Sequence, residues 1–171
     1  MSDGKLRVGW DEYHRLIESL AIQIHRSGWE FDAMVCLARG GLRVGDVLSR
    51  LFRKPLGVLF TSSYREHAGT LQSHLLIAEH LSSAQPLPGG RWLLIDDLAD
   101  SGGTLEQVVP ALRSGRPDVN DIRTAVLWCK GRSSVTPDFY VSHLPDDPWI
   151  VQPFEVYDTL LLSELEHRAR A

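Results

Sequence analysis

The chain has 171 residues, 43% of them hydrophobic and 23% charged, which suits one domain with a real core and no large disordered portion. Its formal net charge of −4 and pI near 5.9, with no basic run longer than a few residues, leave no electrostatic footprint for nucleic acid, so any anionic ligand must be met locally. The opening residues hold no apolar leader core, and no window approaches the roughly 18 apolar residues of a membrane span, which points to a cytoplasmic protein with no integral membrane association.

In chain order, Asp11 precedes Leu16, Ile17, Leu20 and Ile24, a helical spacing closed by Gly28 that predicts a surface helix from about residue 11 to 27. Phe31 to Ala38 is a short, nearly continuous apolar run ending in Arg39-Gly40-Gly41, and Leu42 to Phe52 then carry helical periodicity up to Lys54-Pro55. That is strand, turn, helix. A second strand is expected over Pro55 to Ser63, a third over Arg91 to Leu98 with a helix over Thr104 to Gly115, and a fourth over Asp121 to Lys130. Pro110 should kink the helix or mark a frayed turn. Glu66 to Gly90 reads as a long, mobile excursion in which Leu71 to Leu81 fits helix or strand and the rest fits loop. Strands buried on both faces with helices between them indicate an α/β fold, a mostly parallel twisted sheet flanked by helices. Cys36 and Cys129 each sit inside an apolar run, the ordinary place for a buried reduced thiol, so disulfide and zinc readings are weak.

In such sheets ligands bind at the carboxyl ends of the strands. Leu93 to Thr104, "LLIDDLADSGGT", lies at one of them: the apolar run would be buried strand, leaving Asp96 and Asp97 at its rim, while the turn delivers the chain to a helix near Thr104. Unpaired amides at a helix N-terminus, glycines that allow close approach, and the hydroxyls of Ser101 and Thr104 suit a phosphate monoester. The aspartates need hydroxyl donors or a divalent cation, so a sugar phosphate satisfies both halves. Taken singly, Asp-Asp reads as a solvated strand end, Arg-Gly-Gly as a common turn, Lys130 as a snorkelling surface lysine and Trp149 as a packing residue.

The stretch resembles the phosphoribosyl diphosphate binding motif of the type I phosphoribosyltransferases. "VCLARGGLRVGDVLSRLF" is similar to the family's pyrophosphate-binding turn and helix, "TSSY" to the start of its flexible catalytic loop, and "LWCKG" with "PDDPWIVQPFE" to the purine-binding hood of the bacterial xanthine-guanine (6-oxopurine) branch. The resemblance implies a single domain over 1–171, with a core of about 28–130, a flexible loop of about 64–90 beginning at Ser63 and Tyr64, and a hood of about 130–158 joined by the N-terminal segment. It further implies that Asp96 and Asp97 hold the ribose hydroxyls and Mg²⁺, directly or through water and ligand. Asp100 would lie near the purine imidazole nitrogen as candidate general base. Ser101, Gly102, Gly103 and Thr104 would cradle the 5′-phosphate, and Arg39 and Gly40 would meet the pyrophosphate. Lys130 would contact the 6-oxo group, Trp149 would stack on the ring, and Ile150 would offer backbone groups to its edge. The implied activity is transfer of the phosphoribosyl group from 5-phosphoribosyl 1-diphosphate to guanine, xanthine or hypoxanthine, by a homodimer or homotetramer.

Three departures stand out. Glu66 to Gly90 holds no Lys or Arg, although the family's loop normally carries cations that close over the pyrophosphate; Arg65 stands at its start, and His67, His74 and His80 lie within it. Gly131 replaces the proline common after the lysine, which would leave that turn less rigid, and Val151 replaces an acidic residue common beside the hood motif. The cation-poor loop keeps open a second reading, a regulatory or binding protein of the same fold that does not turn over.

Overall fold

Apolar runs too short for helices are strands here, and their registers decide what meets at the sheet edge. The computed structural model describes residues 4–64 and 74–169, which fall into two compact units, residues 17–147 and a smaller one joining the chain up to residue 16 to the part beyond residue 147.

The larger unit is built on strands β2 (Ala33–Ala38), β3 (Leu56–Tyr64), β4 (His74–Ile77), β5 (Ser82–Ser83), β6 (Gly90–Ile95), β7 (Leu98–Ala99), β8 (Val119–Lys130) and β9 (Phe139–Leu144). The sheet order is β4-β3-β2-β6-β8-β7, with β5 beside β3 and β9 beside β8. All pairs are parallel except those of β4 and β5 with β3. Helix α2 (Leu42–Phe52) packs on one face, where Val44 and Leu48 are fully buried. Helix α3 (Gly103–Gly115) covers the other with Leu105, Val108 and Leu112, against Val35, Leu37, Leu59, Leu94 and Val126 from the strands. Strands buried on both faces read as continuous apolar runs, which is why β2 and β6 were visible in the sequence.

The first helix, α1 (Trp10–Arg26), buries Tyr13, Ile17, Leu20 and Ile24, the i, i+4, i+7 stripe expected of a surface helix. Its first turns belong to the smaller unit. There β1 (Lys5–Arg7) pairs in parallel with β10 (Trp149–Val151), Leu6 opposite Ile150, and Tyr13 meets Phe154 edge-on at 5.8 Å. The tail forms α4 (Val156–Thr159) and α5 (Leu162–Ala169), neither of which buries a residue.

One expectation is corrected. The segment 64–90, read as one loop, contains β4 and β5; Leu75 and Ile77 alternate with Leu76, so the inward pair joins the core beside Leu59 while Leu76 stays exposed, a period-2 pattern that excludes helix. The middle of that reading, residues 65–73 with His67, lies outside the described residues. Pro110 lies inside α3, which runs on to Gly115, on the exposed side of the helix, where water can take the carbonyl that the missing N–H leaves free.

Candidate active site

The registers bring the carboxyl ends of three strands level. Cys36 of β2 lies opposite Ile95 of β6, and Ile95 opposite Ala125 of β8, so the turn after β2 and the acidic pair after β6 emerge at the same edge. They meet closely. A Cβ on Gly40 would run into the Asp97 carboxylate, and one on Gly41 would sit 2.6 Å from the Ile95 carbonyl oxygen, so glycine at both positions lets the Arg39 turn lie against the acidic strand end. Arg39 is exposed on this turn.

Asp96 and Asp97 are half-buried neighbours. The Asp97 N–H donates to Asp96 Oδ1 (2.9 Å), and the Asp97 carbonyl accepts from the Leu127 N–H (2.9 Å), which fixes the pair on β8. Burial and then the adjacent Asp97 charge push the Asp96 carboxyl well above the ordinary carboxylate range. Burial likewise raises the Cys36 thiol, to about 11, so both cysteines, free and buried, are inert thiols.

Both helices that start at this edge begin on glycine N-caps, Gly41 for α2 and Gly102 for α3, and neither cap has a side-chain hydrogen bond among the described residues. At these starts the Leu42 N–H donates to the Arg39 carbonyl (3.2 Å) and the Gly103 N–H to Ser101 Oγ (3.4 Å), and the helix dipole favours an anion at each end. Gly102 has φ +85°, and a Cβ there would lie 2.8 Å from Ser133 Oγ, Ser134 Oγ and the Val135 nitrogen. The 133–135 segment is the wall of the turn: Ser134 donates to the Ser101 carbonyl from its N–H (2.9 Å) and its Oγ (3.0 Å). Gly102→Ala combines left-handed backbone strain with overpacking and should cost about 2–4 kcal/mol, read as a lower denaturation midpoint at unchanged m. Ser101 is exposed, while Gly103 and Thr104 are half-buried on the first turn of α3.

Beyond the pair, β7 runs beside the second half of β8 with Ala99 opposite Cys129, which carries Asp100 up to Lys130. Lys130 is not the snorkelling surface lysine its position suggested: its side chain is 4% exposed and its Nζ meets Asp100 Oδ1 at 2.9 Å. A second cation completes the group. Arg132 reaches Asp100 Oδ1 through Nε at 3.0 Å and both carboxylate oxygens through its terminal nitrogen. Burial raises the Asp100 carboxyl, but the hydrogen bonds from Arg132 and Lys130 outweigh it and hold the group below the usual carboxylate range. The Gly131 N–H donates to the Leu144 carbonyl at 2.9 Å, a bond that proline could not make.

The phosphoribosyl transferase domain family matches residues 9–159, which takes in all of the larger unit and part of the smaller one. The chain belongs to the phosphoribosyltransferase family. Among solved structures it is similar to a purine phosphoribosyltransferase from Pyrococcus horikoshii, with 29% identity, a TM-score of 0.72, and coverage of 88% of this chain and 94% of that one. A xanthine-guanine-hypoxanthine phosphoribosyltransferase from Helicobacter pylori matches with TM-score 0.74 at 24% identity over 95% of this chain and 99% of its own. A hypothetical protein from Neisseria gonorrhoeae with bound ppGpp matches with TM-score 0.69 at 24% identity over 96% and 94%. The mostly parallel sheet flanked by helices is the type I fold of this family.

Within this phosphoribosyltransferase, the larger unit gathers Arg39, Gly40, Asp96, Asp97, Asp100, Ser101, Gly102, Gly103, Thr104 and Lys130 at one edge of the sheet. Trp149, 62% exposed, and Ile150 belong to the smaller unit, on β10. Ser63 and Tyr64 end β3. Sequence reasoning missed Arg132, because a basic residue two positions past a strand end carries no local signal of which carboxylate it will find. Among the described residues no helix is long and apolar enough to cross a membrane.

Proposed function

We propose that the protein transfers the phosphoribosyl group of 5-phosphoribosyl 1-diphosphate to a 6-oxopurine, for purine salvage. The observation that carries this reading is the apposition of the Arg39-Gly40-Gly41 turn to Asp96 and Asp97, beside two glycine-capped helix starts: a diphosphate, a diol and a monophosphate each find their chemistry within one edge. In the reaction a ring nitrogen of the base bonds to the anomeric carbon as the bond to pyrophosphate breaks and the leaving group takes the electron pair. The base gives up one ring proton, for which Asp100 is the acceptor in reach of Lys130. Lys130 has donors and no acceptor, so it favours an oxo group over the amino group of adenine. Arg39 supplies positive charge to the departing pyrophosphate, and Ser101 to Thr104 hold the 5′-phosphate.

Mg²⁺ fits the donor set. Asp96 and Asp97 are adjacent oxygen ligands whose mutual repulsion a divalent cation would relieve, and no third carboxylate, histidine or cysteine joins them among the described residues, which suits an ion that keeps water and substrate oxygens. When bound, it would supply charge stabilisation to the diphosphate.

A second reading, a nucleotide-binding regulator without turnover, is favoured by the absence of Lys and Arg from Glu66 to Gly90 and by the ppGpp in the Neisseria relative. One assay separates the two: purified protein with Mg²⁺ and phosphoribosyl diphosphate against guanine, xanthine, hypoxanthine and adenine singly. Turnover with 6-oxopurines and none with adenine is the expected result. No turnover with any base, together with calorimetric binding of phosphoribosyl diphosphate or ppGpp, would replace the transferase reading with the regulatory one.

A further inference from the structure

We infer that Arg132 is a positioning residue that holds Asp100 so that Lys130 can be released to the oxo group of an incoming purine, an inference that rests on the purine site proposed above. One carboxylate here faces two cations of different character. Lys130 is buried and approaches Asp100 as a single point, whereas Arg132 has a side chain 52% exposed and grips both oxygens of the carboxylate. A lysine whose only partner is a carboxylate cannot turn to a ligand without stranding that carboxylate, which is 45% exposed and so only partly hydrated. The planar guanidinium removes that obstacle, since a two-pronged grip keeps both oxygens satisfied after the ammonium leaves.

The backbone around Arg132 is built to hold the grip in place. The Arg132 N–H donates to Asp147 Oδ1 at 3.1 Å, the Ser133 N–H to the Lys130 carbonyl at 3.1 Å, and Gly131 is tied to Leu144. Through Ser134 the same turn clamps the Ser101 carbonyl, so Arg132 is anchored to the loop proposed to hold the 5′-phosphate. The charged groups around Asp100 are Lys130 from β8 and Arg132 from the turn, with Asp147 behind Arg132, and Glu106 of α3 on Ser134 Oγ at 3.3 Å. Removing Arg132 therefore leaves Lys130 as the sole cation reaching Asp100 among the described residues, and fastens the two together.

The test compares Arg132→Gln and Arg132→Lys with wild type. For Arg132→Gln the KM for the 6-oxopurine should rise about tenfold, the scale of one hydrogen bond to a charged group, with a smaller change in kcat and an unchanged KM for phosphoribosyl diphosphate. The acidic limb of its rate profile should move to higher pH, because Asp100 has lost its stronger cation. Arg132→Lys should restore the acidic limb but only part of the KM, having the charge without the fork. An unchanged base KM and acidic limb in Arg132→Gln overturn the inference. So does an Arg132→Lys variant equal to wild type in KM, which also serves if the glutamine variant does not fold. If wild type turns over no base, the transferase reading falls separately, and carboxyl NMR of the ligand-free protein, with Asp100→Asn to identify the signal, still reads the grip. Titration of Asp100 at higher pH in Arg132→Gln supports the grip, and an unmoved titration overturns it.

Discussion

Asp100→Asn should lower kcat on the order of a hundredfold or more while leaving the affinity for phosphoribosyl diphosphate within a few-fold. The substitution keeps the shape of the side chain and removes its charge and its capacity to take a proton. At neutral pH the native carboxylate is ionised, because Arg132 and Lys130 outweigh the burial that would otherwise raise it. A carboxyl held low in the native state stabilises the fold above its ordinary value, and that contribution fades as pH falls through the lowered native value. The asparagine variant should therefore lose the part of the wild-type acid dependence of unfolding that begins near pH 4, measured by melting between roughly pH 3 and 7. It should also melt lower at pH 7, since Lys130, buried at 4% exposure, keeps only an amide in place of its counter-charge. Unchanged turnover in a folded variant would remove Asp100 from the proton transfer, whatever the melt shows.

The parts of the fold legible in the sequence are those whose signal is local. β2 and β6 are continuous apolar runs, α1 and α2 carry a clear helical stripe, and the turns into α2 and α3 are punctuated by glycine. β9 escaped because it pairs in parallel with β8 across a link of only residues 131–138, without the helical crossover that such a pair normally needs. What holds that link is a polar exchange with no periodicity: Asp138 Oδ2 accepts from the Thr124 N–H (2.8 Å) and Oγ1 (2.9 Å), while the Asp138 N–H donates to Thr124 Oγ1 (3.0 Å). β1 and β10 escaped for a related reason, since Leu6 finds Ile150 at the far end of the chain and three-residue strands carry too short a pattern.

At the candidate site the same division applies. The acidic pair and the glycine turns stand out as contiguous residues whose chemistry makes sense together, so their placement at a strand end follows from local rules. The partnership of Asp100 with Lys130 and Arg132 depends on how far β8 runs past β6, a register that composition does not encode. Lys130, which taken singly reads as a surface lysine, is buried at 4% exposure, and the Gly131 N–H adds a bond from the same turn to the Leu144 carbonyl.

Asp96→Asn should separate stability from function in the opposite direction to the Asp100 variant. Asp96 sits in a half-buried position against the charge of Asp97, and its carboxyl is raised because both burial and that charge penalise ionisation. A carboxyl raised in the native state relative to the unfolded chain weakens the fold once pH exceeds the unfolded value, and the full penalty is present above the native value. Asparagine removes the charge while its amide oxygen can still accept from the Asp97 N–H, the 2.9 Å bond that shapes the strand end. The ligand-free variant should melt roughly 2–4 °C higher at pH 7, about 1 kcal/mol for a chain of this size, and the gain should vanish on acidification as wild-type Asp96 itself becomes protonated. Activity should move the other way, by about a hundredfold or more, because the lost carboxylate is the one proposed to hold a ribose hydroxyl and the metal. The two measurements distinguish a carboxylate retained for its ligand at the expense of the fold from one that serves the fold. A lower melting point for Asp96→Asn at pH 7 would show that its charge is already compensated within the protein, and would remove the electrostatic reason for expecting a cation there.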